Sequence, residues 1–377
     1  MGYDPDPGLS IDMHFHVGLL GDRYPKWGRL SEWYRRQLVY KIFLLYAGLE
    51  PDRVSDRTLR EATERTIAGA IVDRVVCLAL DPVYDIHGGR REDRSHVWVD
   101  NEYVLDLRRT IGKKVLLGAS VHPYDPSFER RVTKCVGEGA VLLKWLPSAQ
   151  QIDLADPRVL DRLRFLATAK DGKALPLLLH VGPEYAIPSI DERTKSYDFL
   201  SWTIWDRIGN AFRGKGKWIQ PRTKELRDNL RDGLDDGATI IFAHCGLPYF
   251  APRLFRYLLE HSDLKEVREY LKDYPESSTY GRCYADVSAC VTPFRRTYFN
   301  DIRKLPPSSL LFGSDFPTPV FELSADLGEM IKDLKAVLNG QLERVVIPQD
   351  NLLNVNYREL LHFFPGHAMF SNFNRLL

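Results

Sequence analysis

The sequence predicts an α/β protein of the (β/α)8 barrel class, folded as a single domain over residues 1–377. Three observations lead there. Eight short apolar runs recur along the 377 residues. Amphipathic helical stretches alternate with them, the order that parallel strands with helical crossovers require. Ionisable residues sit at the carboxyl ends of several of the runs, the end at which barrels of this kind carry their chemistry.

The runs lie at 11–17, 74–80, 115–121, 140–146, 175–181, 239–245, 284–290 and 310–316. Each is of strand length, and several are apolar almost throughout, as expected for parallel strands covered on both faces. Helical patterns fall between them, at 55–70, 97–111, 126–136, 157–170, 223–233, 253–274, 297–304 and 327–338. Eight repeats suit a closed barrel better than an open sheet. A G-x-G-x-x-G turn is missing after the first run, which counts against a dinucleotide-binding fold. Two connections are too long for simple crossovers. The insertion at about 18–62 carries an apolar stretch, 29–49, read as one amphipathic helix. The insertion at about 182–221 is rich in aromatics, including Tyr185, Tyr197, Phe199, Trp202, Trp205, Phe212 and Trp218. Both follow strand ends, so both are expected over the catalytic face, as a cap, a self-association surface or a substrate-selecting wall.

Composition narrows the class of function. Charged residues make up 27% and the formal net charge is +1, so no global charge favours nucleic acid. The five cysteines form no CxxC pair, which fits free thiols in a reducing compartment. No apolar stretch reaches the ~18 residues of a membrane span, and the N-terminus lacks a basic-then-apolar leader pattern. The expectation is a cytoplasmic protein with a small-molecule substrate, no nucleic-acid or membrane partner, and an amphipathic insert that allows homo-oligomers.

The chemistry concentrates at the strand ends. In a strand, residues i and i+2 share a face, so His14 and His16 point the same way and Asp12 is expected to join them. Two adjacent imidazoles form a clamp for zinc, iron or manganese. His180 ends the fifth run, His244 the sixth and Asp315 the eighth, and Lys144 lies late in the fourth. Burying so many ionisable groups without partners would be costly, and a divalent metal accounts for them together. Other candidates surround this set. His122 ends the third run, and Arg90, Arg91 and Arg94 lie in the loop 87–94, where a guanidinium could clamp a carboxylate. These, with Trp145 beside Lys144, are expected to touch substrate. Glu184 is a candidate partner for a ligand imidazole, and Cys245 is read as packing.

The segments DMHFH, VLLKWLP, LLLHVGPE, IIFAHCG and LLFGSDFP, in that order and followed by DNLLNVNYRELL at 350–361, resemble the amidohydrolase superfamily. The nearest branch is the amidohydrolase-2 group, which contains aminocarboxymuconate semialdehyde decarboxylase together with related hydrolases and decarboxylases. The resemblance implies that His14 and His16 are first-strand metal ligands and His180 the fifth-strand ligand. It implies that Asp315 touches the metal and handles the proton of bound water. His244 either stabilises charge at the substrate or binds a second metal. Lys144 matches a position that carries a bridging carbamate in binuclear members. Alternatively it remains an ammonium that meets a substrate carboxylate, or it is structural. The implied cofactor is a divalent ion, zinc ahead of manganese or iron, as one ion or two. The implied enzyme hydrolyses a small-molecule amide, ester or lactone. The rivals are a non-oxidative decarboxylase of an unsaturated or aromatic acid, a TatD-like nuclease and a non-catalytic barrel.

Overall fold

The computed structural model describes residues 8–182, 184, 186–212, 218–248, 262–292, 295–318 and 350–377. Its centre is a parallel sheet of eight strands whose order in space is their order in the chain. They are β1 (Ile11–His16), β2 (Arg74–Leu78), β3 (Val115–Ala119), β4 (Ala140–Trp145), β5 (Leu177–Leu179), β6 (Thr239–Phe242), β7 (Arg282–Asp286) and β8 (Leu310–Leu311). Each lies within or across one of the eight apolar runs. The sheet closes on itself, because the Met13 N–H donates to the Phe312 carbonyl at 3.0 Å, the His16 N–H to Phe316 at 3.1 Å and the Asp315 N–H to His14 at 2.8 Å.

Alternation along the strands divides the apolar residues into two layers. Met13, Leu78, Leu142, Leu178, Ile241 and Leu311 fill the barrel interior. Leu117, Leu143, Leu179 and Phe242 face outward and pack with helix residues such as Leu107, Val132, Leu163 and Leu230. The chain's last segment turns back under the barrel, where Phe373 is fully buried within the interior cluster.

Strand β1 departs from strict alternation. Between Asp12 and Phe15 its pairing with β2 gains one residue, a bulge of the kind that re-aims side chains beside active sites. Ile11 and Met13 therefore face the interior cluster, while His14 and His16 open onto the mouth. Asp12 does not join the imidazoles, contrary to the i, i+2 expectation. Its carboxylate accepts from the Ser314 hydroxyl at 2.5 Å, the Ser314 N–H at 2.9 Å and the His14 N–H at 3.1 Å, tying β1 to the loop after β8.

The outer helices start where side chains can satisfy their first N–H groups. Ser55 caps the helix Asp56–Ala68 in a reciprocal box with Thr58, Asp100 caps Asn101–Ile111, Asp156 caps Pro157–Leu166 and Asn351 caps Leu352–Phe363. Two helical expectations need correction. Residues 97–99 form a short strand paired antiparallel with Gly28–Leu30, and helix begins only after Asp100. The stretch 29–49 is not one helix: it breaks into Glu32–Arg35 and Leu38–Tyr46. In the second insertion the described elements are a 3-10 turn at Glu192–Ser196 and a helix at Ile204–Phe212. The helix expected at 327–338 and the first part of the one at 253–274 lie outside the described residues; the rest of the latter is the helix Leu264–Asp273. All five cysteines are buried free thiols, and among the described residues no helix is long and apolar enough to cross a membrane.

Candidate metal centre

At the carboxyl end of the barrel, His14, His16, Lys144, His180, Glu184, His244, Arg295 and Asp315 line one cleft. His14, His244 and Asp315 each offer a ligand atom, and these atoms lie within 4.8 Å of one another. His14 Nε2 is 3.1 Å from His16 Nε2 and 3.4 Å from Asp315 Oδ1, which is itself 3.1 Å from His16 Nε2. The His14 and His244 rings stack at 5.1 Å, and His180 meets His244 edge-on at 5.5 Å.

The three buried imidazoles share a feature that points to a cation. In each, the Nδ1 edge is occupied by the protein. His14 Nδ1 faces Asp286 Oδ2 at 2.9 Å, His180 Nδ1 faces Asp198 Oδ2 at 3.4 Å, and His244 Nδ1 faces the Ser288 carbonyl at 3.1 Å and its hydroxyl at 2.8 Å. The Nε2 edges are thereby left for the cleft. Outer partners that fix ring orientation in this way accompany metal-ligating histidines. Asp286 serves two residues at once, since its Oδ1 also accepts the His244 N–H at 3.0 Å and the Ser288 N–H at 2.9 Å.

Electrostatics agree with a cation-binding donor set. Burial lowers the pKa of His14 and holds His180 well below the ordinary imidazole range, in both cases helped by the Lys144 ammonium; burial also brings His244 down to about 3. Neutral imidazoles are the form that binds metal. Burial alone would raise the Asp315 carboxyl, but the facing imidazoles of His244, His16 and His14 outweigh it and hold it well below its usual range. Asp315 Oδ2 is held by the Thr318 hydroxyl at 2.8 Å, so Oδ1 is the oxygen turned to the imidazoles. Lys144 is 1% exposed, its Nζ stands 3.5 Å from His14 Nε2, and burial brings its pKa down to about 8. Glu184 Oε2 lies 3.2 Å from His180 Nε2, with its carboxyl raised by burial and by Asp315.

Backbone geometry serves the cluster. His244 and Asp315 both adopt left-handed backbone, with φ of 53° and 57°, a conformation uncommon for residues other than glycine. Such outliers concentrate at functional sites. Gly313 lets the loop after β8 pass close to β1, since a Cβ there would sit 2.6 Å from the His14 Cβ. Asn356, within the 350–361 segment, donates to the Ser314 carbonyl at 2.9 Å and steadies the residue before Asp315.

The sequence-predicted metal residues thus converge on one cleft. The substrate-contact residues do not. His122 is fully buried away from it, with Nε2 bonded to the Gln150 carbonyl at 3.0 Å and Nδ1 accepting the Tyr124 N–H at 3.1 Å. Trp145 lies on the opposite face of β4 from Lys144, in the outer core, its indole N–H on the Val121 carbonyl at 2.8 Å. Arg90 pairs with Glu92 at 3.1 Å and lies over the Trp98 ring; Arg91 makes a bidentate pair with Asp93 at 2.9 and 2.7 Å. Neither lines the cleft. Cys245 is buried in the outer core, as read from the sequence. Among the aromatics of the second insertion, Phe199 packs against Trp202 and Trp218 at ring distances of 5.8 and 5.4 Å. Sequence reasoning missed Asp286, Ser288, Asp198 and Arg295. Asp286 ends β7, inside the seventh run, and its place at a strand end was the available signal.

The fold and its site together define a closed parallel barrel carrying a buried imidazole–carboxylate cluster at its mouth. No protein-family model matches the sequence, and no curated protein matches it. In three dimensions the chain is similar to IDCase of Metarhizium anisopliae, at 15% identity and a TM-score of 0.48 over 98% of this chain and 97% of that one. It is similar to 2,6-dihydroxybenzoate decarboxylase from Rhizobium, at 13% identity and a TM-score of 0.42 over 94% and 98%. It is also similar to amidohydrolase 2 from Bifidobacterium longum subsp. infantis, at 15% identity and a TM-score of 0.41 over 94% and 98%. Likeness at this level fixes neither reaction nor substrate.

Proposed function

We propose that this protein is a metal-dependent hydrolase of a small-molecule amide, ester or lactone. One observation carries the reading: His14, His244 and Asp315 converge within 4.8 Å, with the Nδ1 edges of the imidazoles already engaged by protein partners. His14, His16, His180 and Asp315 are the residues that would hold a divalent ion, with His244 as a further ligand or as a group that meets the substrate. When bound, such an ion lowers the pKa of water toward about 7 and polarises a carbonyl. Asp315, ionised and with Oδ1 turned inward, is placed to take up a proton and return it to a leaving group. Asp286 keeps the His14 ring oriented and joins it to His244 through a shared carboxylate.

Lys144 fits the role of a carbamate ligand. Only a neutral amine adds to carbon dioxide, and a pKa of about 8 leaves about a tenth of the lysine neutral at pH 7. The buried cations Lys144 and Arg295 on the same cleft floor favour one second reading, decarboxylation of a carboxylate substrate. Elemental analysis of protein prepared without chelator tests the first reading. About two metals per chain are expected, as for two-metal hydrolases, falling sharply in Lys144→Ala, with a carbon-13 carbamate resonance from labelled bicarbonate in the wild type alone. One metal, unchanged in Lys144→Ala, would make Lys144 a substrate contact. Product analysis in oxygen-18 water then separates the reactions: label in the organic product means hydrolysis, whereas released carbon dioxide with no label in the organic product means decarboxylation.

A further inference from the structure

The metal cluster occupies only the floor of its cleft. The walls continue outward between the helices Leu38–Tyr46 and Asp56–Ala68, where Leu30, Phe43, Leu44, Leu49 and Leu59 face the same space. With open solvent at its mouth the cleft measures about 1130 Å³, at or above the size of drug-sized ligand sites. Among the described lining residues the lysine and arginine cations are Lys144 and Arg295, both at the floor, and the outer walls carry none. A dicarboxylate seated with one end at the floor would leave its far carboxylate against hydrocarbon, which is costly. The polar groups of this wall are turned into the protein: the Tyr34 hydroxyl donates to the Ala186 carbonyl, the Thr63 hydroxyl to the Leu59 carbonyl, and the Tyr40 hydroxyl is buried.

From these observations we infer that the substrate is amphipathic: an extended alkyl or arylalkyl chain lies along the first insertion and a reactive carbonyl sits at the floor. This rests on the metal-dependent reading and adds the substrate class to it. Burial of each methylene is worth about fourfold in affinity if the tail is fully seated.

Alkyl hydroxamic acids of two, six and ten carbons, titrated calorimetrically into zinc-loaded full-length protein, test the inference without requiring turnover. Affinity should climb about fifteenfold with each pair of carbons that is fully seated. Ala47→Trp, which fills the wall, should abolish the gain for the ten-carbon compound and leave the two-carbon compound unchanged; Phe43→Ser, which exposes the wall to water, should flatten the series if Ala47→Trp fails to fold. An affinity independent of chain length overturns the amphipathic substrate while leaving the metal site standing. Absence of binding at every length overturns the metal-dependent reading itself.

Discussion

At the scale of single residues, the site depends on groups whose partners are as informative as the groups themselves. Asp286 presents one oxygen to His14 Nδ1 and the other to the His244 and Ser288 N–H groups. An asparagine there can satisfy one side only, because its amide nitrogen opposes either a donor or the His14 N–H. Asp286→Asn should therefore lower metal affinity about 10- to 100-fold, read by competition with a chelating dye, with far-ultraviolet circular dichroism unchanged. His122 supplies a contrasting case. Burial takes its pKa down to about 3 from an ordinary 6.5. Its contribution is fully present above pH 6.5 and is lost as the pH falls toward 3, because the unfolded chain binds the proton first. Urea titrations of wild type should thus lose stability on acidification faster than those of His122→Asn, by up to about 1.4 kcal/mol per pH unit in that window. Equal slopes would mean that His122 is solvated. The ionisable residues that line the cleft were legible in the sequence, because such groups at the ends of apolar runs are too costly to bury without a shared partner. Trp145 was misassigned, although the two-residue period already sets that ring opposite Lys144. Asp198 was hidden because an acid in a long insertion that serves another side chain leaves no pattern of its own.

At the scale of elements, the first insertion is anchored through one carboxylate. Asp56, the first residue of its helix, accepts four backbone N–H groups, from Leu20, Gly21, Arg23 and Tyr24, at 2.5 to 3.2 Å. Asp56→Ala would strand these donors and should cost about 2–4 kcal/mol, measured by chemical denaturation; a cost below about 0.5 kcal/mol, the scale of a neutral surface change, would show that the loop repairs itself with water. Helix-against-strand errors arose in the same neighbourhood for a physical reason. Residues 97–99 are β-branched and aromatic, and their partner strand at 28–30 comes from the far insertion, a pairing that local periodicity does not reveal. The break between 35 and 38 likewise follows tertiary contacts, with Tyr34 and Tyr40 both drawn into the small cluster beneath the insert.

For the molecule as a whole, the eight-strand order was readable because each strand is covered on both faces and so stands out as an apolar run. The bottom closure was not. Phe373 lies beyond the last strand, and only the folded barrel shows that it seals the interior. Phe373→Ala should destabilise the protein by about 3–5 kcal/mol through the cavity it leaves, visible as a lowered thermal midpoint while the metal-to-protein ratio of the folded fraction stays constant. The mouth at the other end is spanned as well. Tyr34, from the insertion after β1, donates its hydroxyl to the Ala186 carbonyl of the insertion after β5 at 2.8 Å, and these strands stand on opposite sides of the eight-strand ring. Loops on this face of a barrel are commonly exchanged one at a time to create new activities. Here they form a clasp: a graft that replaces either insertion alone carries away half of it, so the two are a single inheritable unit for design.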